Sequence, residues 1–158
     1  MEKVVVGIGE GKIAREGQVL ISYALGSCVG ICLYDRISKI AGMAHIILPE
    51  SNSAVHKSNP YKFADEGIRA LINEMEKQGA LRRRLTAKIA GGAKMFSTKG
   101  VQWEIGYVNV ETVKKVLLQE RVPILAEDTG KNYGRTIQFY AHNGKLEVRT
   151  VRHEVVEL

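Results

Sequence analysis

Cysteine, proline and tryptophan are scarce in this 158-residue chain, with two, three and one residue respectively. Two cysteines cannot build the disulfide framework that small secreted domains depend on, so reduced thiols and a cytoplasmic address are expected. Aromatic residues make up 6% of the chain, too few to interleave with basic side chains as base-stacking platforms, and no nucleic-acid motif accompanies them. No apolar run approaches the ~20 residues of a membrane span. The stretch Val4–Ile8 behind Met1-Glu2-Lys3 is shorter than a signal-peptide core, so neither export nor membrane insertion is expected. Linkers, low-complexity tracts and internal repeats are also missing, and residues 1–158 read as one domain.

What is present fits an ordinary globular protein, with 45% apolar and 25% charged residues. A chain this long can bury roughly 68–70% of its unfolded surface. The formal charge of +6 is uneven: residues 1–79 carry nine Lys/Arg and nine Asp/Glu, residues 80–158 fourteen and eight. The one dense basic run is Arg82-Arg83-Arg84. It reads either as a solvated segment after a helix or as an electropositive face for an acidic partner.

Hydrophobic patterning predicts strands at both ends of the chain and helices between. Val4–Ile8, Val19–Tyr23, Val29–Tyr34 and Ile40–Leu48 are β-rich, and the last two are joined by the short polar turn 35–39. Asn59-Pro60 opens a helix whose apolar stripe is Ala64, Ile68, Leu71, Ile72 and Met75, with Gly79 as its stop. Asn109 suits an N-cap for a second helix over Val110–Arg121, with Val113, Val116 and Leu117 inward. Leu85–Ala90 and Ile124–Ala126 read as buried strands. Thr136–Ala141 and Lys145–Val151 flank Asn143-Gly144, a strong hairpin signal. The distribution implies an α+β fold rather than regular βαβ alternation.

Chemistry concentrates in Ala24-Leu25-Gly26-Ser27-Cys28-Val29-Gly30, where a cysteine sits at a glycine-containing turn entering a strand. The backbone N–H groups of Gly26 and Ser27 in such a turn can point at a substrate carbonyl. Two readings of Cys28 are open: a nucleophile served by a nearby base, or a small buried apolar residue. Cys32 lies about 13 Å along the same strand, too far for a disulfide or a shared zinc, and reads as core. Among the histidines, His56, His142 and His153 fall in surface contexts. His45 lies inside an apolar strand, either as a hydrogen-bonded structural residue or as a base. A hairpin centred near Ile37 sets Cys28 opposite Ile46, so a bulge or bend is needed to bring His45 onto the same face. Asp128-Thr129-Gly130 occurs once and lacks the second carboxylate that aspartic-protease chemistry requires. Gly91-Gly92 lacks the phosphate-loop Lys-Ser/Thr, and close backbone packing is expected there. Trp103 reads as core or as a turn cover.

Taken together, these segments resemble the CheD family of chemoreceptor glutamine deamidases. The resemblance is carried by Leu25-Gly26-Ser27-Cys28-Val29, Ala44-His45 with Leu48-Pro49, Lys88-Ile89-Ala90-Gly91-Gly92-Ala93 with Met95-Phe96, and Ala126-Glu127-Asp128-Thr129-Gly130 followed by Asn132. It runs in order from Val4 to about Val151. It implies a cysteine-dependent protein-glutamine glutaminase with Cys28 as nucleophile and His45 as general base and acid. Ser22 falls where the family pattern has threonine, and is implied to orient the imidazole. The implied fold is a layered sandwich of β-sheets with flanking helices, similar to the deamidase domain of cytotoxic necrotizing factor. The implied partners are the cytoplasmic helices of methyl-accepting chemoreceptors and the CheC phosphatase, with no metal or organic cofactor. A weak glutamyl methylesterase activity would follow from the same chemistry. The alternative is a non-catalytic adaptor that binds receptors or CheC.

Overall fold

The computed structural model describes residues 1–51, 59–94, 101–150 and 155–158, with backbone alone over 101–104. Five strands come first: β1 (Glu2–Val5), β2 (Gly11–Ala14), β3 (Gln18–Leu25), β4 (Val29–Asp35) and β5 (Ile40–Ile46). A 3₁₀ turn over Pro60–Lys62 leads to helix α1 (Ala64–Lys77), and another over Arg82–Arg84 leads to β6 (Thr86–Gly91). Helix α2 (Val101–Gln119) is followed by β7 (Ile124–Thr129), β8 (Arg135–Tyr140), β9 (Leu146–Thr150) and β10 (Val155–Glu157). The strands form two five-stranded sheets, in the orders β1-β3-β8-β9-β10 and β2-β5-β4-β6-β7. The fold is therefore α+β, as the sequence pattern implies. Among the described residues no helix is long and apolar enough to cross a membrane.

The layers follow from where apolar residues alternate and where they do not. Every residue of β4 and β5 is buried. One face carries Ile31, Leu33 and Ile46 against Ile68, Leu71 and Ile72 of α1 and Val113 and Leu117 of α2. The other turns Cys32 and Met43 toward Leu20, Ile137, Phe139 and Val148 of the first sheet. Strands covered on both faces need apolar residues at successive positions, which is why 29–34 reads as an unbroken run. β8, covered on one face, alternates buried and half-buried residues.

Several boundaries differ from the sequence reading. The first strand ends at Val5, because Gly7 N–H donates to Glu10 Oε1 and Glu10 N–H to the Gly7 carbonyl, folding the chain back toward β2. Asn59-Pro60 opens the 3₁₀ turn, and α1 starts only after Phe63, whose backbone is extended. The largest difference concerns α2, which begins at Val101, so Asn109 is not a cap but a buried residue inside the helix. His56, His153, Met95 and Phe96 lie outside the described residues, as does the side chain of Trp103.

The basic run is not an open electropositive face. Arg84 is bound to the carboxylate of buried Asp35, and Arg82 pairs with Glu120 and Glu76. Acidic residues distant in sequence fold against two of the three arginines, a neutralisation that linear charge counting cannot register.

Candidate active site

The chain passes from one sheet to the other between β3 and β4, and the crossing is the Gly26-Ser27-Cys28 turn. Pairing of β3 with β8 is irregular between Ser22 and Leu25, and Ala24 within that break takes the left-handed conformation (φ 54°). The break releases the strand from its sheet just before the turn. All three turn carbonyls are engaged: Gly26 accepts from Ala93 N–H (2.8 Å), Ser27 from Asn109 Nδ2 (3.0 Å) and Cys28 from Gly92 N–H (2.8 Å). The N–H groups of Gly26 and Ser27 have no protein acceptor among the described residues, and that of Cys28 stabilises its own sulfur. The result is a rigid turn with unspent donors beside a half-buried thiol.

Gly91-Gly92 accounts for this clamp. At Gly91 (φ 115°) any Cβ would collide with the Cys28 carbonyl. The partner glycine on α2, Gly106, lets the helix backbone rest on the same loop, since a Cβ there would lie 2.5 Å from the Ala93 carbonyl. From the other side Gly130 N–H donates to the Gly91 carbonyl (3.0 Å), and Asp128 accepts from buried Arg135 (2.9 Å). Asp128-Thr129-Gly130 thus braces the loop that holds the turn.

His45 lies on β5, its backbone held by Gly9 N–H and the Glu10 carbonyl. The strand register corrects the expected geometry. Val29 pairs with Ile46 and Gly30 with His45, so one further step sets Cys28 opposite Ile47 rather than Ile46. Cys28 is then two positions from His45 on one face, a diagonal pair typically about 7–8 Å apart at Cα, and no bulge between β4 and β5 is required. Both residues turn to the space between the sheets: Cys28 packs on the inter-sheet cluster, and His45 reaches Ser22 of β3 across it.

Ser22 is fully buried, with its Oγ 2.8 Å from the Val6 carbonyl and 2.7 Å from His45 Nδ1. A hydroxyl has one proton, and a carbonyl can only accept. Ser22 therefore donates to Val6 and accepts from His45 Nδ1–H, which leaves the lone pair on Nε2. Nε2 is buried without a partner among the described residues. With His45 read as the base, replacing Ser22 with alanine removes this tautomer lock and should lower turnover about 10–100-fold, the size seen when metal-binding histidines lose the partner that orients them. Ser22→Thr keeps the hydroxyl and should stay near wild type, a contrast read directly from steady-state kcat.

Burial pushes the Cys28 thiol above its ordinary 9.0 and holds His45 below its ordinary 6.5, against an opposing effect of the Val6 carbonyl on the imidazole. The resting pair is thus neutral thiol and neutral imidazole, not thiolate and imidazolium. Between the two titrations only the minor ion-pair form reacts, and its population does not change with pH. Alkylation of Cys28 by iodoacetamide should show a slow plateau through neutrality, then climb with the thiolate fraction and not level off until the pH exceeds 9.0. Rates already maximal at pH 6 would contradict this arrangement.

The remaining candidates lie apart. Cys32 is fully buried, and burial drives its thiol far above the ordinary range. His142 is exposed and pairs with Glu16 (2.7 Å). Among the described residues no three His, Cys, Asp or Glu side chains gather as a metal site needs. The close backbone packing expected at Gly91-Gly92 is present, but sequence reasoning missed that it clamps the Cys28 turn and that Asn109 joins that turn to β5. A signal for the second was present: Asn109 is polar yet lies four residues before Val113 on the inward stripe.

The class these features define is an α+β sandwich that brings a cysteine, a histidine and a hydroxyl together at one end of its inter-sheet space. The chain belongs to the CheD family. The profile of CheD chemotactic sensory transduction matches residues 47–150. A probable chemoreceptor glutamine deamidase CheD of Caldanaerobacter subterraneus subsp. tengcongensis is 51% identical over 95% of this chain and 94% of its own. The chemoreceptor glutamine deamidase CheD of Thermotoga maritima is 45% identical, covering 94% of this chain and 92% of its own. In fold, the crystal structure of a DUF152-family protein of Neisseria meningitidis superposes with a TM-score of 0.52 at 9% identity, over 83% of this chain and 64% of that one.

Proposed function

We propose that this protein is a chemoreceptor glutamine deamidase that works through a Cys28–His45 thioester mechanism. The observation that carries the reading is the Ser22–His45 hydrogen bond, which leaves an unprotonated Nε2, without a partner among the described residues, on the face shared with Cys28. His45 takes the Cys28 proton as sulfur attacks the carboxamide carbon of a glutamine side chain. The free N–H groups of Gly26 and Ser27 hold the developing oxyanion, each such donor typically contributing ~3–4 kcal/mol. His45 then passes its proton to the nitrogen, ammonia leaves, and a thioester remains. Water deprotonated by His45 cleaves the thioester, giving glutamate and the free thiol. His45 relays each proton of this cycle between Cys28, the substrate nitrogen and the attacking water, and no cofactor is called for.

The substrate is the cytoplasmic helical region of methyl-accepting chemoreceptors, and the same acyl chemistry extends weakly to glutamyl methyl esters. CheC is the proposed second partner where it occurs, docking at the receptor-binding surface. The protein acts in the cytoplasm, where those receptor segments lie. Incubation with receptor cytoplasmic fragments, followed by peptide mass spectrometry, should show glutamine-to-glutamate conversion. Receptor binding without conversion would overturn the enzymatic reading in favour of a non-catalytic adaptor.

A further inference from the structure

Asn109 is fully buried within α2, and its carboxamide serves neither the helix nor solvent. Its Nδ2 donates to the Ser27 carbonyl (3.0 Å) and to the Ile47 carbonyl (2.9 Å). Ser27 immediately precedes Cys28, and Ile47 lies two residues beyond His45. The ladder between β4 and β5 ends at the pair Val29–Ile46, one step short of Cys28. Beyond that pair the two segments share no strand pairing, and the Asn109 amide stands where the next rung would be.

The rest of the side chain shows that packing does not explain it. Oδ1 is buried without a partner among the described residues, a cost that an apolar residue would avoid. Asparagine is also a mediocre helix former. On the stripe that continues through Val113 and Leu117, leucine would pack and propagate the helix better. What leucine cannot do is donate to two carbonyls at once.

We propose that Asn109 is a positioning residue that fixes the nucleophile turn against the base-bearing strand, setting the separation of Cys28 and His45. The proposal rests on reading those two as a nucleophile–base pair. The turn runs past the last rung of the β4–β5 ladder, where strand pairing no longer fixes its distance from β5, and a displacement near 1 Å in a reacting pair costs about 10²-fold in rate.

The test follows iodoacetamide labelling of Cys28 in the full chain by peptide mass spectrometry between pH 6 and 10. The proteins are wild type, Asn109→Ala, His45→Ala and the double variant. In Asn109→Ala the neutral-pH plateau should fall at least ~10-fold toward that of His45→Ala, while the rates of all four converge where the thiolate forms unaided. Adding Asn109→Ala to His45→Ala should change nothing further. With receptor fragments, kcat should fall about 10²-fold and KM stay within about threefold, since ground-state binding does not involve this contact. Asn109→Leu, which keeps the branching at Cγ without the donor and is a better helix former, runs the same cycle should the alanine protein melt early. A folded Asn109 variant with a wild-type labelling profile overturns the proposal, as does a loss that recurs in full in the His45→Ala background. Labelling coupling without deamidation by the wild type would support the positioning role and overturn only the assigned reaction.

Discussion

The Cys28→Ala protein is expected to lose receptor deamidation by a factor on the order of 10⁶, the size seen when an acyl-transfer enzyme loses its nucleophile. In the proposed mechanism the thioester forms on this sulfur, and without it the reaction is left to direct attack of water on a stable carboxamide. The turn amides and His45 remain, but they can assist only that slower path. The loss should not reflect unfolding. Cys28 is half-buried, and the turn around it is held through its backbone carbonyls, which alanine retains. Thermal unfolding should shift by only a few degrees, as a loss near 1 kcal/mol implies for a chain of this length. Mass spectrometry of receptor peptides gives the activity, and calorimetry or circular dichroism the melting point. Conversion at the wild-type rate in Cys28→Ala would remove the nucleophile assignment.

A second large effect is expected far from the chemistry. Arg84 binds Asp35 through Nε and Nη2, each at 2.8 Å, and the Asp35 side chain is wholly shielded from solvent. Burial by itself would raise this carboxyl. The Arg84 hydrogen bonds, joined by the amides of Leu81, Ser38 and Ile37, outweigh it and hold the group well below its ordinary 3.8. Arg84→Ala leaves the charge with backbone donors alone. Removing one partner of a buried pair costs about 3–5 kcal/mol, and the three remaining amides place the expected loss near the lower end. A carboxyl depressed in the folded state contributes stability that is present above pH 3.8 and fades as pH falls below it. The gap between wild type and Arg84→Ala in urea unfolding should therefore be full at pH 7 and shrink below pH 3.8. A gap unchanged by acid would show that Arg84 acts through packing instead.

The parts that were legible before the fold was known are local. An unbroken apolar run over 29–34 and the stripe from Ala64 to Met75 announce a doubly covered strand and an amphipathic helix, since each pattern depends only on neighbours in sequence. The short strands β2 and β10 were not legible. β2 has only two apolar residues, Ile13 and Ala14, and β10 is exposed at all three positions, so pairing with β5 and β9 defines them rather than composition. The hairpin register was off by one partner, because the turn 35–39 sets its centre between two residues and no side-chain pattern reports that half-step. The choice between the two readings of the basic run was not legible for a related reason: Asp35, Glu76 and Glu120, which pair with Arg82 and Arg84, come from three other places in the chain.

By itself, the sequence determined the α+β class, the presence of one thiol in a glycine-containing turn and of one histidine in an apolar strand, and the family resemblance that links them. Only the tertiary structure decided which nitrogen of His45 carries the proton, that the turn amides have no acceptor among the described residues, and which carbonyls Asn109 joins. The bonds that settle these matters join residues 23 and 82 positions apart, Ser22 to His45 and Ser27 to Asn109. Periodicity and spacing report contacts within a few residues. A proton's place depends on which distant carbonyl the folded chain sets beside it.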